Sequence, residues 1–374
     1  FYGAASFNQD IGDWDVSNCK RELNYMFEGA KAFNQDLNNW DVSNVTEFYM
    51  TFANTDAFNG DISDWDVSNA NLAGMFSNAK AFNQDIGDWD VSNTKHFNSM
   101  FQNADAFNQD IGNWDVSNGT TFAWMFNQAD AFNKDIGDWD VSNGTEFTGM
   151  FNAAKAFNQD LNDWDVSNGT KFNAMFAWAR EFNGDISNWD VSNGTDFSGM
   201  FTYADAFNQD IGDWDVGNGT NFSTMFGTAK SFNQDLGDWD VSNGTNFSGM
   251  FGSAEAFNQD IGDWDVSNGT NFAYMFTYLK EFNQDISNWD VSNGTNFSGM
   301  LYDADAFDQE LGYWDIDDEA NLGNMFGRAD QMSANGWSAT PLFSDFGLTK
   351  ITDRASLDTA VEAWITDEAA AIET

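Results

Sequence analysis

The stretch Phe107-Asn108-Gln109-Asp110-Ile111-Gly112-Asn113-Trp114-Asp115-Val116-Ser117-Asn118-Gly119-Thr120-Thr121-Phe122-Ala123-Trp124-Met125-Phe126-Asn127-Gln128-Ala129-Asp130-Ala131 is one unit of the repeat that decides the fold. Its Trp-Asp-Val-Ser-Asn segment recurs, with small departures, on Trp14, Trp40, Trp65, Trp89 and Trp114, and then every 25 residues to Trp314. Thirteen of the 17 Trp stand in this one column. Self-similarity at a period of roughly 20–50 residues is the mark of a solenoid, in which each unit buries its apolar face only against its neighbours. The early spacings of 26, 25 and 24 differ in the stretch after the Asn, as in Cys19–Glu22 against Ala70–Asn71, so that stretch reads as a surface loop.

Inside the unit, Ile111, Trp114 and Val116 are apolar and Asp115 and Ser117 polar, a short period-2 alternation that predicts a strand facing the core. Asn118-Gly119 is a turn pair. Phe122, Met125, Phe126, Ala129 and Phe132 follow at spacings of 3, 1, 3 and 3, a helical stripe with Thr120 as its N-cap. The expected fold is therefore an α/β repeat solenoid, with one short strand in a shared parallel β-sheet and one short helix or 3₁₀ turn in each 25-residue coil. Thirteen coils at ~4.8 Å per parallel strand would extend about 60 Å.

Composition narrows the function. With 14 Lys+Arg against 60 Asp+Glu the formal net charge is −46. That argues against binding to nucleic-acid phosphates or anionic lipid, both of which need basic side chains. A hydrophobic fraction of 42% and an aromatic fraction of 17% argue against disorder. One Cys, Cys19, permits no internal disulfide, and one His, His96, permits no multi-histidine metal centre. Cys19 and His96 read as loop residues, and the Met column as core. No apolar run approaches the length of a membrane span, so no membrane insertion is expected.

Three kinds of column carry candidate chemistry. Two residues before each Phe of Phe-Asn-Gln-Asp the sequence reads Lys31, Asp56, Lys80, Asp105, Asp130, Lys155, Arg180, Asp205, Lys230, Glu255, Lys280 and Asp305, and the sign alternates at nine of eleven steps. Opposite charges on neighbouring coils predict an inter-coil ion-pair ladder that favours one register.

The second kind is acidic. The residue after each column Trp is Asp in all thirteen coils, and the residue before it is Asp in eight. With alternating strand geometry, Asp88, Asp90, Asp115, Asp138, Asp140, Asp163, Asp165, Asp213, Asp215, Asp238, Asp240, Asp263 and Asp265 share an outward face. No basic column opposes them, so the grid is a candidate site for Ca²⁺, a hard ion that accepts loosely arranged oxygens. The alternative is solvated acid, with the Asp of Asn-Gln-Asp accepting amides in its own turn. No motif requires a cofactor.

The third kind is Asn-x-Thr at Asn44, Asn118, Asn143, Asn168, Asn193, Asn218, Asn243, Asn268 and Asn293, the acceptor pattern for N-glycosylation. The turn preference of Asn-Gly explains the same column without sugar.

Ile111-x-x-Trp114-x-Val116 has the form of the leucine-rich-repeat strand with Trp substituted. Together with Trp-Asp-Val-Ser-Asn and Met-Phe-x-x-Ala-x-x-Phe-Asn-Gln-Asp, it resembles the BspA-like surface-protein repeats of 25–26 residues, and the match runs from Phe1 to about Phe326. Gly119 and Phe122 depart from the Val and Met common in that family. The resemblance implies a leucine-rich-repeat-like solenoid, extracellular display, and adhesive or structural roles without catalysis.

The expected organisation is a thirteen-coil solenoid over 1–326 that starts mid-coil, an irregular capping segment over 327–351, and an amphipathic helix over 352–374. That helix would cap this array or lead into a following one. The reading is a non-enzymatic extracellular adhesive or structural solenoid, assembling with itself end-to-end or laterally into a surface filament, or binding other surface components. A calcium- or mineral-binding module using the Asp columns is the alternative. No catalytic residue is assigned, because a nucleophile or acid–base pair would break the repeat locally and none does before Asp330.

Overall fold

A computed structural model describes residues 1–20 and 22–341. The repeat closes into stacked coils whose core is built of aromatic columns. Phe122, Phe126, Phe132 and Trp114 are buried, as are their equivalents from the second coil onward, while Trp14 and Phe1 at the start are exposed. Within a coil Phe126 stacks on Phe132 at 4.0 Å, and between coils Phe126 stacks on Phe151 at 5.6 Å and Trp114 on Trp139 at 6.4 Å. Each ring therefore covers its own coil and the next, which is why one coil alone has no core.

The burial pattern follows the expected alternation: Ile111, Trp114 and Val116 point inward while Asp115 is exposed. The pairing lies elsewhere. Parallel bridges join Thr121 to Glu146, Glu146 to Lys171 and onward to Asn321, on the far side of the Asn-Gly turn from the predicted strand. The Trp segment is held instead by side chains. Trp114 donates its indole N–H to the Ile86 carbonyl of the preceding coil at 3.0 Å, and Asn118 Nδ2 donates to the Ser92 carbonyl at 2.7 Å.

The predicted helix is also replaced. Over 122–129 the amides alternate in destination. Phe122, Trp124, Phe126 and Gln128 donate to Glu146, Thr148, Met150 and Asn152 of the next coil at 2.7–3.0 Å, while Met125, Asn127 and Ala129 donate three residues back. Trp124 and Gln128 take φ of 59° and 57°, the positive value that a type II turn requires at its third residue. The stripe is thus a pair of linked turns stacked coil on coil, a turn ladder. A helix would have spent its amides inside the coil; here half of them bond along the solenoid axis. Thr120 is not a helix cap: its backbone N–H and hydroxyl both donate to the Lys95 carbonyl of the preceding coil.

Ring spacing reports the curvature. Centroids in the Phe122 column lie 5.3–5.8 Å apart, and in the Trp column 6.1–6.5 Å. The coils are closest beside the turn ladder, so the solenoid bends with that ladder on its concave side. Both spacings exceed the ~4.8 Å of a parallel ladder, so the array is longer along its core than the 60 Å expected from strand pairing.

After the thirteenth coil comes a single helix among the described residues, α1, at Asp330–Ala334. The segment behind it closes the ladder: Phe326 donates its amide to the Ala339 carbonyl at 3.1 Å, and Asn324 to Thr340 Oγ1 at 2.9 Å. These are amides that other coils spend on their successor. Trp337 sets its ring edge-on to Phe326 at 5.2 Å, where the next coil's aromatic would stack. The rest of the 327–351 segment and the helix expected over 352–374 lie outside the described residues.

Candidate functional site

The turn ladder decides which side chains face a partner. Residues at its two positive-φ positions turn outward, and Gly or Asn is the low-cost choice there. Several coils comply, with Gly74, Gly199 and Gly249 at the first position and Asn54, Asn78 and Asn103 at the second. Others carry bulk: Tyr25, Trp124, Trp178, Tyr203, Tyr274 and Tyr278 all hold positive φ. Outside the Trp column, the chain before Asp330 contains ten Tyr and Trp, and all but Tyr313 lie on this ladder.

These rings form local platforms. Trp178 stacks on Tyr203 at 3.7 Å, and the Arg180 guanidinium lies 5.5 Å from the Trp178 ring centre. Tyr278 meets Tyr302 edge-on at 5.6 Å, with Arg328 over the Tyr302 ring at 5.9 Å. Trp124 lies flat on Gly149 of the next coil, where an added Cβ would come within 2.2 Å of the indole. Tyr274 lies on Gly299 in the same way, at 2.5 Å.

Beside the platforms runs the charged column. Lys31 pairs with Asp56 at 3.7 Å, Lys155 with Asp130 at 2.6 Å, Arg180 with Asp205 at 3.6 Å, Lys230 with Asp205 at 4.0 Å, and Lys280 with Asp305 at 3.6 Å. Asp130, by hydrogen bond and charge, raises the Lys155 ammonium above its ordinary value. Lys280 and Arg328 also converge on Asp303, at 3.9 and 3.5 Å. Lys80, Asp105 and Glu255 share the column and flank clefts between coils.

The acidic columns sit away from this face. Asp88, Asp90, Asp115, Asp138, Asp140, Asp163, Asp165, Asp213, Asp215, Asp238, Asp240, Asp263 and Asp265 are exposed. From Asp15 to Asp290 the Asp after the Trp is turned onto its own chain, as where Asp165 Oδ1 accepts the Ser167 amide at 3.0 Å. The Ser hydroxyl, and then its amide, hold the Asp90, Asp165, Asp240 and Asp265 carboxyls below the ordinary value. The Asp of Asn-Gln-Asp does likewise, Asp110 Oδ1 accepting the Gly112 amide at 3.1 Å. Among the described residues, no three of the acidic, His or Cys side chains gather around a point that could hold a metal ion.

The sequon column is exposed, but its amides are engaged. Asn143, Asn168, Asn193, Asn218, Asn268 and Asn293 each donate Nδ2 to a Ser carbonyl of the preceding coil at 2.8 Å, and Asn243 to Gly217 at 2.7 Å. Asn118 does the same, and Asn44 reaches Ser17 at 3.4 Å. Cys19 is exposed, and His96 sits in the bridge column opposite Thr121 rather than in a loop.

Coil-on-coil stacking, parallel bridges and aromatic columns define a repeat solenoid that carries its unlike residues on one ladder. The chain belongs to the family described as "Mycoplasma protein of unknown function, DUF285", which matches residues 1–73, 70–185, 149–258 and 236–339. Compared with the curated proteins, the sequence matches none. Among solved structures it is similar to a plant peptide hormone receptor, RGFR1 in complex with RGF2, at 10% identity and a TM-score of 0.24, covering 77% of this chain and 60% of that one. It is similar to the mouse RP105/MD-1 complex at 10% identity and 0.26, covering 80% and 54%, and to the Leptospira interrogans LRR protein LIC12759 at 10% and 0.21, covering 84% and 92%. The chain thus spans little more than half the length of the first two. The stacked rings, parallel bridges and turn ladder themselves define the fold. Among the described residues, no helix is long and apolar enough to cross a membrane.

Proposed function

We propose that this chain is a non-catalytic, leucine-rich-repeat-like solenoid of the extracellular surface, of the BspA-like kind, which adheres to partners through its concave turn ladder. One observation carries the reading: Tyr and Trp occupy outward positive-φ positions where Gly or Asn would cost less. Tyr and Trp supply rigid contact area and dominate binding hot spots. Within an otherwise uniform array, a face that differs from coil to coil is where recognition has room to vary.

Adhesion of protein-coated beads to cells or matrix tests it. Trp178→Asn with Tyr203→Asn installs the residue that Asn78 and Asn103 already place at this position. This pair is expected to lower adhesion at least tenfold while leaving the unfolding midpoint in place. Equal adhesion by the variant would remove the ladder from the function. Self-assembly into filaments is the related reading; with the last coil's amides already taken by Ala339 and Thr340 it would run laterally, and sedimentation of the intact chain across concentrations tests it.

A further inference from the structure

We infer that the cleft framed by Tyr274, Tyr278 and Tyr302 is a binding site for a neutral glycan, a ligand class for the adhesive ladder and an inference that rests on that reading. The cleft is lined by these three rings with Thr277, Gly299 and Asn324, and encloses about 280 Å³. That is close to the ~300 Å³ lower end of small-molecule sites and suits one or two sugar rings. Tyr278 is also a wall of a second cleft of about 680 Å³, lined further by Ser253, Glu255, Lys280 and Glu281, so a longer chain has room to continue past it.

The lining chemistry selects the ligand. Tyr274 is 54% exposed and Tyr278 45%, and Tyr274 has one face pressed on Gly299. Its free face is a flat platform of negative quadrupole, which attracts the slightly positive C–H face of a pyranose. No aliphatic side chain lines the cleft, so a purely apolar ligand finds little to bury against. The Thr277 hydroxyl, the Asn324 amide and the tyrosine hydroxyls offer uncharged hydrogen bonds to the ring's edge.

Charge then chooses among sugars. The nearest cations are already spent, Lys280 on Asp303 and Asp305 and Arg328 on Asp303. No unpaired basic group of the lining awaits a carboxylate or sulfate, and a chain of net charge −46 repels anionic ligands at long range. A proline-rich peptide would also stack on Tyr, and it is the comparison ligand in the test.

The test is calorimetric titration of the intact chain with neutral gluco-, manno- and chito-oligosaccharides, beside a polyproline peptide. Tyr274→Gly with Tyr278→Asn serves as the variant, since Gly249 and Asn78 occupy the same positions in other coils. Saturable binding of one sugar series, weakened at least tenfold in a variant with unchanged unfolding midpoint, is the expected result. No sugar binding at millimolar concentration, binding the variant retains, or binding of the peptide alone would each overturn the site. If bead adhesion still depends on Trp178 and Tyr203 while no sugar binds, the glycan assignment fails and the adhesive ladder stands. If adhesion ignores the ladder while the sugar binds at these tyrosines, the broader reading fails instead.

Discussion

Gly149 shows how much one residue carries in a stacked array. Its φ is +57°, and an added Cβ would lie 2.2 Å from the ring of Trp124 in the coil before it. Gly199 has the same backbone, at φ +61°, but its nearest neighbour would be Thr224 Oγ1 at 3.6 Å. Gly199→Ala should therefore cost only the left-handed term, about 1–2 kcal/mol. Gly149→Ala should cost that and displace the indole as well. Urea unfolding of both variants measures the difference, and adding Trp124→Ala should bring the Gly149→Ala cost down to that of Gly199→Ala. Equal costs in the presence of Trp124 would mean the ring does not rest on the glycine. The same reasoning explains why bulk at this position tends to be followed by Gly one coil later, as Met50 by Gly74 and Tyr274 by Gly299.

At the level of the element, the turn around each Trp-Asp-Val-Ser is held by its carboxylate. In Asp165 the Ser167 hydroxyl, then the Ser167 amide, depress the carboxyl below its ordinary 3.8. A folded value below the unfolded one means that this contribution is present above about pH 4 and is lost as the pH falls through the folded value. Ser167→Ala removes the larger cause and leaves the amide. The Asp165 carboxyl is thus expected to return part of the way towards 3.8 in a carbon-detected NMR titration. An unmoved value would show that the hydroxyl does not hold it. The acid limb of stability should move to higher pH in the same variant by a small amount, because the group is well solvated.

Over the whole molecule, the net charge of −46 is laid out in lines. The acids around each Trp run along one side of the solenoid, and six of the 14 basic residues stand in the paired column beside the ladder. Calcium is the ion the acidic lines would take. Their Oδ1 atoms already accept amides within their own turns, so we expect the thermal midpoint in EDTA to equal that in millimolar calcium. A saturable rise with calcium at constant ionic strength would instead establish an ion bridging the coils. Sodium chloride alone should raise the midpoint modestly by screening the lines from one another.

The number of coils, the inward columns, the outward acids and the sign pattern of the ladder were all readable from the residues. Period and alternation decide burial wherever every coil repeats the same environment. The path of the backbone was not readable in the same way. A stripe at 122, 125, 126, 129 and 132 suits a helix and a pair of linked turns equally, since both bury those five side chains. The signal against a helix was the recurrence of Gly and Asn four residues apart at the positions of Trp124 and Gln128, which a helix interior would not favour. What the sequence alone determined is thus which residues are core and how many times they repeat. Tertiary structure decided where the amides go, because a bond to the next coil exists only once that coil is stacked. That choice set the positive-φ positions, turned Tyr and Trp outward on the concave side, and so made the face on which binding is proposed.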